Sequence, residues 1–170
     1  AGLRATADII DRAGKGTLPD GLLDPVTSKR RTTALWAEHG KVVEQYNEPG
    51  KFTAFMGFEY TPGPGGDNLH RVVMFRDGAE AMSDTLPFSA FGRPDPEMLW
   101  AYMAAYEEKT GGKVLAIPHN SNISEGRMFA MNKFDGSPLD EAYITTRAKW
   151  EPIVEVTQIK GDSETYPTLS

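Results

Sequence analysis

Gly111-Gly112-Lys113-Val114-Leu115-Ala116-Ile117-Pro118-His119-Asn120 is the stretch on which the fold turns. Two glycines end whatever precedes them, an apolar run of strand length follows, and a proline closes it before a polar loop. Upstream, Asp95-Pro96 offers a helix cap with proline at the first helical position. Met98, Leu99, Tyr102, Met103 and Tyr106 then recur at helical spacing until Gly111. Downstream, Ser137-Pro138-Leu139-Asp140 resembles a capping box and starts a helix ending near Trp150. Ile153 to Ile159 reads as a last strand. Helix, strand, helix, strand with apolar strands bounded by Gly and Pro is the pattern of βαβ units. An α/β fold with mostly parallel strands is therefore expected.

Working toward the N-terminus, residues 77–94 form a long loop, the length of a lid or a packed Ω-loop. Phe52 to Tyr60 is a near-continuous apolar run, which predicts a strand buried on both faces. Pro62 to Asp67 is a turn and Leu69 to Phe75 a second strand, so the pair predicts a hairpin. Thr32 to Asn47 carries Leu35, His39, Val42, Val43 and Tyr46 at helical spacing, and residues 14–31 read as an irregular connection. Ala5 to Ala13 reads as the middle or end of a helix. No initiator Met and no signal-like region precede it, and the whole reads as a slice of a longer protein.

The chain has 170 residues with 18 Lys+Arg against 24 Asp+Glu, a formal net charge of −6. That acidic balance argues against a general nucleic-acid binder, which needs clustered cations to displace counterions. No Cys is present, which excludes disulfide scaffolds, thiol catalysis and thiolate zinc sites. No apolar run reaches the roughly 18 residues of a membrane span, so a soluble protein of cytoplasm or periplasm is expected, of undetermined oligomeric state.

Candidate chemistry sits where strands end. Glu59 lies at the end of its strand and His119 directly after Pro118. Glu155 lies in the last strand, with Lys160, Asp162 and Glu164 beyond it. Ionisable groups in strands this apolar need a partner, a metal or solvent. The set fits a metal site of mixed nitrogen and oxygen ligands, and equally a two-carboxylate acid/base site of glycosidase type using Glu59 and Glu155. The structural alternatives are plain. Glu59 could pair with Arg71, His70 could be a strand histidine bonded to backbone, and His39 on its helix stripe fits a core or boundary role. The Gly63-Pro64-Gly65-Gly66 run lacks the Lys and Ser/Thr of a phosphate-binding loop and reads as a turn.

Taken together, four segments resemble an uncharacterised bacterial family of the PHP (polymerase and histidinol phosphatase) superfamily. They are Gly57-Phe58-Glu59-Tyr60-Thr61, Asn68-Leu69-His70-Arg71, Ile117-Pro118-His119-Asn120-Ser121-Asn122 and Glu155 to Glu164. The resemblance covers nearly the whole chain and implies a distorted, TIM-like barrel. It also implies a multinuclear Mn, Zn, Fe or Mg centre that hydrolyses phosphoesters of a small-molecule substrate. Glu59, His70 and His119 match three of the family's ligand positions in order, with Glu59 and His119 nearest the chemistry. Arg71, Asn120, Asn122 and Arg127 would be polar neighbours for substrate oxygens, with Glu155 and Asp162 behind them. The family's His-x-His, Asp-His and Asp-x-His motifs do not occur here, and Tyr166 stands where a His is expected. Residues 1–170 are thus expected to be one partial domain, the middle to late part of such a barrel, inactive when isolated. A barrel that kept its shape and lost its metals is the non-catalytic alternative.

Overall fold

The computed structural model of the chain describes residues 25–163 together with residues 8, 9, 12, 17 and 18. Helix α1 (Pro25–Tyr46) leads to strands β1 (Met56–Tyr60) and β2 (Arg71–Phe75), then to helix α2 (Pro96–Thr110) and strand β3 (Val114–Pro118). Helix α3 (Glu141–Trp150) and two short strands, β4 (Thr157–Gln158) and β5 (Gly161–Asp162), follow. Strands β1, β2 and β3 form one sheet in that order, and β4 pairs with β5 in a second. Every one of these pairings is antiparallel.

The expected parallel, TIM-like barrel is therefore corrected: among the described residues the sheets are small, open and antiparallel. The reason lies in residues 76–95. The chain leaves β2 at Phe75 and rejoins the sheet at Val114, directly opposite Phe75. Between the two, the long loop first crosses the sheet to its other end, where the Tyr60 hydroxyl donates to the Arg93 and Asp95 carbonyls. Helix α2, 15 residues and so about 22 Å long, then runs back until Tyr106 packs on Phe75 with ring centroids 4.9 Å apart. Two crossings return the chain to its starting edge, and the next strand must run antiparallel. A βαβ unit makes only one crossing.

Helix α2 begins and ends as its sequence predicts. The Asp95 side chain accepts from Glu97 N at 2.9 Å, and Gly111 adopts the left-handed conformation (φ 70°) that terminates the helix. Leu99, Trp100, Met103 and Tyr106 are buried against the sheet, where Met56, Tyr60, Val73, Phe75, Val114 and Ala116 present one face. Each such side chain contributes about 1.5–3 kcal/mol on burial. Tyr143 and Trp150 of α3 and Trp36 of α1 complete this core.

Other boundaries moved. Helix α1 starts at Pro25, inside the stretch expected to be irregular. It docks through Trp36 and Gly40, while Leu35 is 71% exposed. Gly40 is small for a reason: a Cβ there would lie 2.8 Å from the Ala79 Cβ. The expected two-sided burial of residues 52–60 gives way to a five-residue strand, with Phe52 and Phe55 exposed. Ser137 belongs to a turn closed by Asp135, and Asp140 caps α3 through Tyr143 N. Of the expected last strand, only Thr157–Gln158 joins a ladder. Most of the expected helix over residues 5–13, and Tyr166, lie outside the described residues. Among the described residues no helix is long and apolar enough to cross a membrane.

Candidate metal centre

Strand alternation decides which side chains meet. In the register Tyr60 opposes Arg71, and Arg71 opposes Pro118. These residues share the core face with Val73 and Ala116, and successive side chains point to opposite sides. Glu59, one residue before Tyr60, His70, one before Arg71, and His119, one after Pro118, therefore share the other face at one end of the sheet. The ladder runs one step past the strand ends, since His119 N donates to His70 O at 3.2 Å. Asn68 fixes the approach to His70: its side-chain oxygen accepts from His70 N at 2.9 Å, and its own N donates to Ile123 O at 3.0 Å.

The three side chains converge. Glu59 Oε1 lies 3.0 Å from His70 Nδ1 and 3.2 Å from His119 Nε2. One ligand atom from each residue falls within 4.8 Å of the others, and among the described residues no other group of three or more such side chains does so. Glu59 is half-exposed (47%), His70 less so (23%) and His119 nearly buried (10%). The imidazoles stand edge to face, with centroids 5.8 Å apart. His70 Nδ1, though close to the carboxylate, is not aligned for a hydrogen bond, and His119 Nδ1 is buried without a partner. Glu59 alone therefore orients the His119 ring. Burial holds the His70 pKa below its ordinary value; Glu59 opposes this, while His119 and Lys160 add to it. His70 is thus kept neutral, the form that ligates metal.

The donors fit a divalent ion. Ligands about 2.0–2.1 Å from a tetrahedral ion stand about 3.4 Å apart, so the two carboxylate–imidazole spacings of 3.0 and 3.2 Å need to open by only a few tenths of an ångström. Two nitrogens and one oxygen suit Zn, Fe or Mn. Three donors answer to one ion, so the multinuclear set implied by the family resemblance is not assembled among the described residues.

The remaining candidates are placed differently. Arg71 is buried on the core face, paired with Glu151 at 3.0 Å and donating to Leu69 O. Arg127 pairs with Asp67 at 2.9 Å. Glu155 accepts from Asn120 N at 3.3 Å and from Gln158, and is not grouped with Glu59. Asp162 accepts from Thr157 across the β4–β5 pair. Asn120 is fully buried at φ 57°, and neither end of its amide has a partner; Asn122 Oδ1 is likewise buried and unpaired. His39 is exposed and stacks on Trp36 with centroids 5.3 Å apart, away from the other histidines. The surface clefts beside α1, lined by Glu44, Asp77 and Glu80 or by Trp36, His39 and Phe58, include none of the three converging residues. Lys160, read in the sequence only as lying beyond the last strand, sits in the β4–β5 turn, where its charge adds to the lowering of the His70 pKa and Gly161 has φ 119°.

The family model described as "Protein of unknown function (DUF3604)" matches residues 3–170. No curated protein matches the chain, and no solved structure matches it. The resemblance to the PHP superfamily does not hold: the matching family is a different one, and the strands are antiparallel.

Proposed function

We propose, for a chain that belongs to the DUF3604 family, that Glu59, His70 and His119 hold one divalent transition-metal ion that serves the hydrolysis of an ester, a phosphoester foremost. The observation that carries this reading is the convergence of three donor atoms within 4.8 Å on the open face of the sheet. Three protein ligands with an open side are the arrangement of catalytic rather than structural zinc. When bound, the ion supplies Lewis acidity toward a carbonyl or phosphoryl oxygen. The chain supplies the rest. His70 and His119 bring imidazole nitrogens, and the Glu59 carboxylate faces both rings through one oxygen. Its second oxygen is left to accept a proton from water at the half-exposed edge. The strand ladder holds all three side chains in register, which limits the motion that would spoil the geometry.

Zinc or manganese titrated into the chain, followed by assay with p-nitrophenyl phosphate and its diester, tests this. The family resemblance implied an inactive isolated chain; the three converging donors instead lead us to expect one ion per chain, with hydrolysis that EDTA abolishes and His119→Ala lacks. A chain that binds no metal, or hydrolysis that survives EDTA, overturns the reading.

A further inference from the structure

We infer that Lys160 recognises an anionic oxygen of the substrate beside the Glu59–His70–His119 focus, so that the group hydrolysed there is a phosphoryl group rather than a neutral ester. The inference rests on the metal-hydrolase reading above and names its substrate class.

Of the cations toward this end of the sheet, Arg71 and Arg127 are engaged by carboxylates. Arg71 is sealed on the opposite face with Glu151, both side chains 1% exposed. Arg127 is held by Asp67. Lys160 is exposed and has no ion pair among the described residues. Its position is nonetheless set by its backbone. Asn122 Nδ2 donates to Lys160 O at 3.3 Å, and Ser121 Oγ donates to Ser163 O at 2.9 Å. These bonds pin both sides of the turn to the loop that starts at His119. At Gly161 a Cβ would lie 2.8 Å from Asn122 Nδ2, so the contact needs glycine. The backbone of Lys160 is thereby held against the loop that begins at His119.

Glu59, Asp67, Glu155 and Asp162 lie toward this end of a chain of net charge −6, so a free cation beside the bound ion favours an anionic guest further. A lysine serves as a point charge for phosphate on a flexible stem and needs no fixed bidentate geometry.

The test uses inorganic phosphate as probe. Calorimetry on the zinc-loaded chain compares the parent with Lys160→Ala, Lys160→Arg and Arg127→Ala, with zinc stoichiometry measured for each. The expected result is phosphate binding weakened at least tenfold in Lys160→Ala, largely kept in Lys160→Arg and in Arg127→Ala, with one zinc in all. Equal phosphate affinity in Lys160→Ala and the parent, both zinc-loaded, overturns the inference and leaves the metal reading standing. Phosphate binding that depends on Lys160 but not on zinc supports the lysine's role and counts against the metal reading. A parent that takes up no zinc and binds no phosphate overturns both.

Discussion

His70 and Arg71 are neighbours in sequence and opposites in circumstance. Arg71 points into the core, where Glu151 takes its charge, the Trp100 indole donates to the same carboxylate at 2.9 Å, and Arg147 stands 3.1 Å from its other oxygen. His70 points to the open face, where a carboxylate and a second imidazole crowd it without satisfying its ring nitrogen. One network is sealed in the core and ion-paired, with Glu151 Oε2 close to Arg147 but not hydrogen-bonded; the other is open and half-wet. Polar groups that satisfy one another hold a fold together, whereas polar groups that converge without doing so leave capacity for a guest.

The largest way to break this comparison is Arg71→Ala. It removes one of the two guanidinium groups that face the buried Glu151 carboxylate and is expected to cost about 2–4 kcal/mol, read from urea denaturation. A loss under about 1 kcal/mol would mean the buried network is dispensable. Next come Glu59→Gln and His119→Ala. Each is expected to change metal-free stability by no more than about 1 kcal/mol yet to weaken zinc binding more than about 100-fold, measured by calorimetry. Equal zinc affinity in both variants and parent would erase the distinction between the two faces.

Asp77 sharpens the contrast from the other end of the sheet, because its hydrogen bonds are made within the fold. It accepts from Tyr106 Oη at 2.9 Å and from Lys113 N at 2.7 Å. Burial pushes its pKa up, but these bonds and the charge of Arg76 outweigh that and hold it below the ordinary 3.8. A depressed carboxylate contributes stability that is present above the unfolded value and lost as pH falls through the folded one. Asp77→Asn is thus expected to cost about 1–2 kcal/mol at pH 7 and progressively less below pH 3.8, followed by denaturation at several pH values. Smallest of all is Leu35→Ser, on the exposed side of α1, expected within about 0.5 kcal/mol by thermal melting.

What the sequence made legible follows from local chemistry. The cap at Asp95, the stop at Gly111, the strand before His119 and the hairpin across Pro62–Asp67 are each set by a few adjacent residues, and each is present. Glu59, His70 and His119 were picked out as strand-end groups, and the register shows how they come to share a face. Strand direction was not legible, because the crossing made by residues 76–95 has no periodic pattern to reveal it. The destination of Arg71 was hidden for a related reason: Glu151 lies far along the chain, and no local rule joins them. The docking face of α1 was misjudged because a small residue, Gly40, marks the contact there, and a search for apolar side chains passes over it.

The double crossing before β3 also bears on the order of assembly. Strands β1 and β2 close across about ten residues, whereas β3 must be brought back across roughly forty, which costs about 1 kcal/mol more in chain entropy. The hairpin is therefore expected to form early and to carry Glu59 and His70 with it, leaving His119 to arrive with β3, the third strand of the sheet. Pulse-labelled amide exchange during refolding should protect residues 56–60 and 71–75 before residues 114–118. In that order the three-residue group is completed only when β3 docks, and any agent that opens β3 disarms it while most of the hairpin still stands.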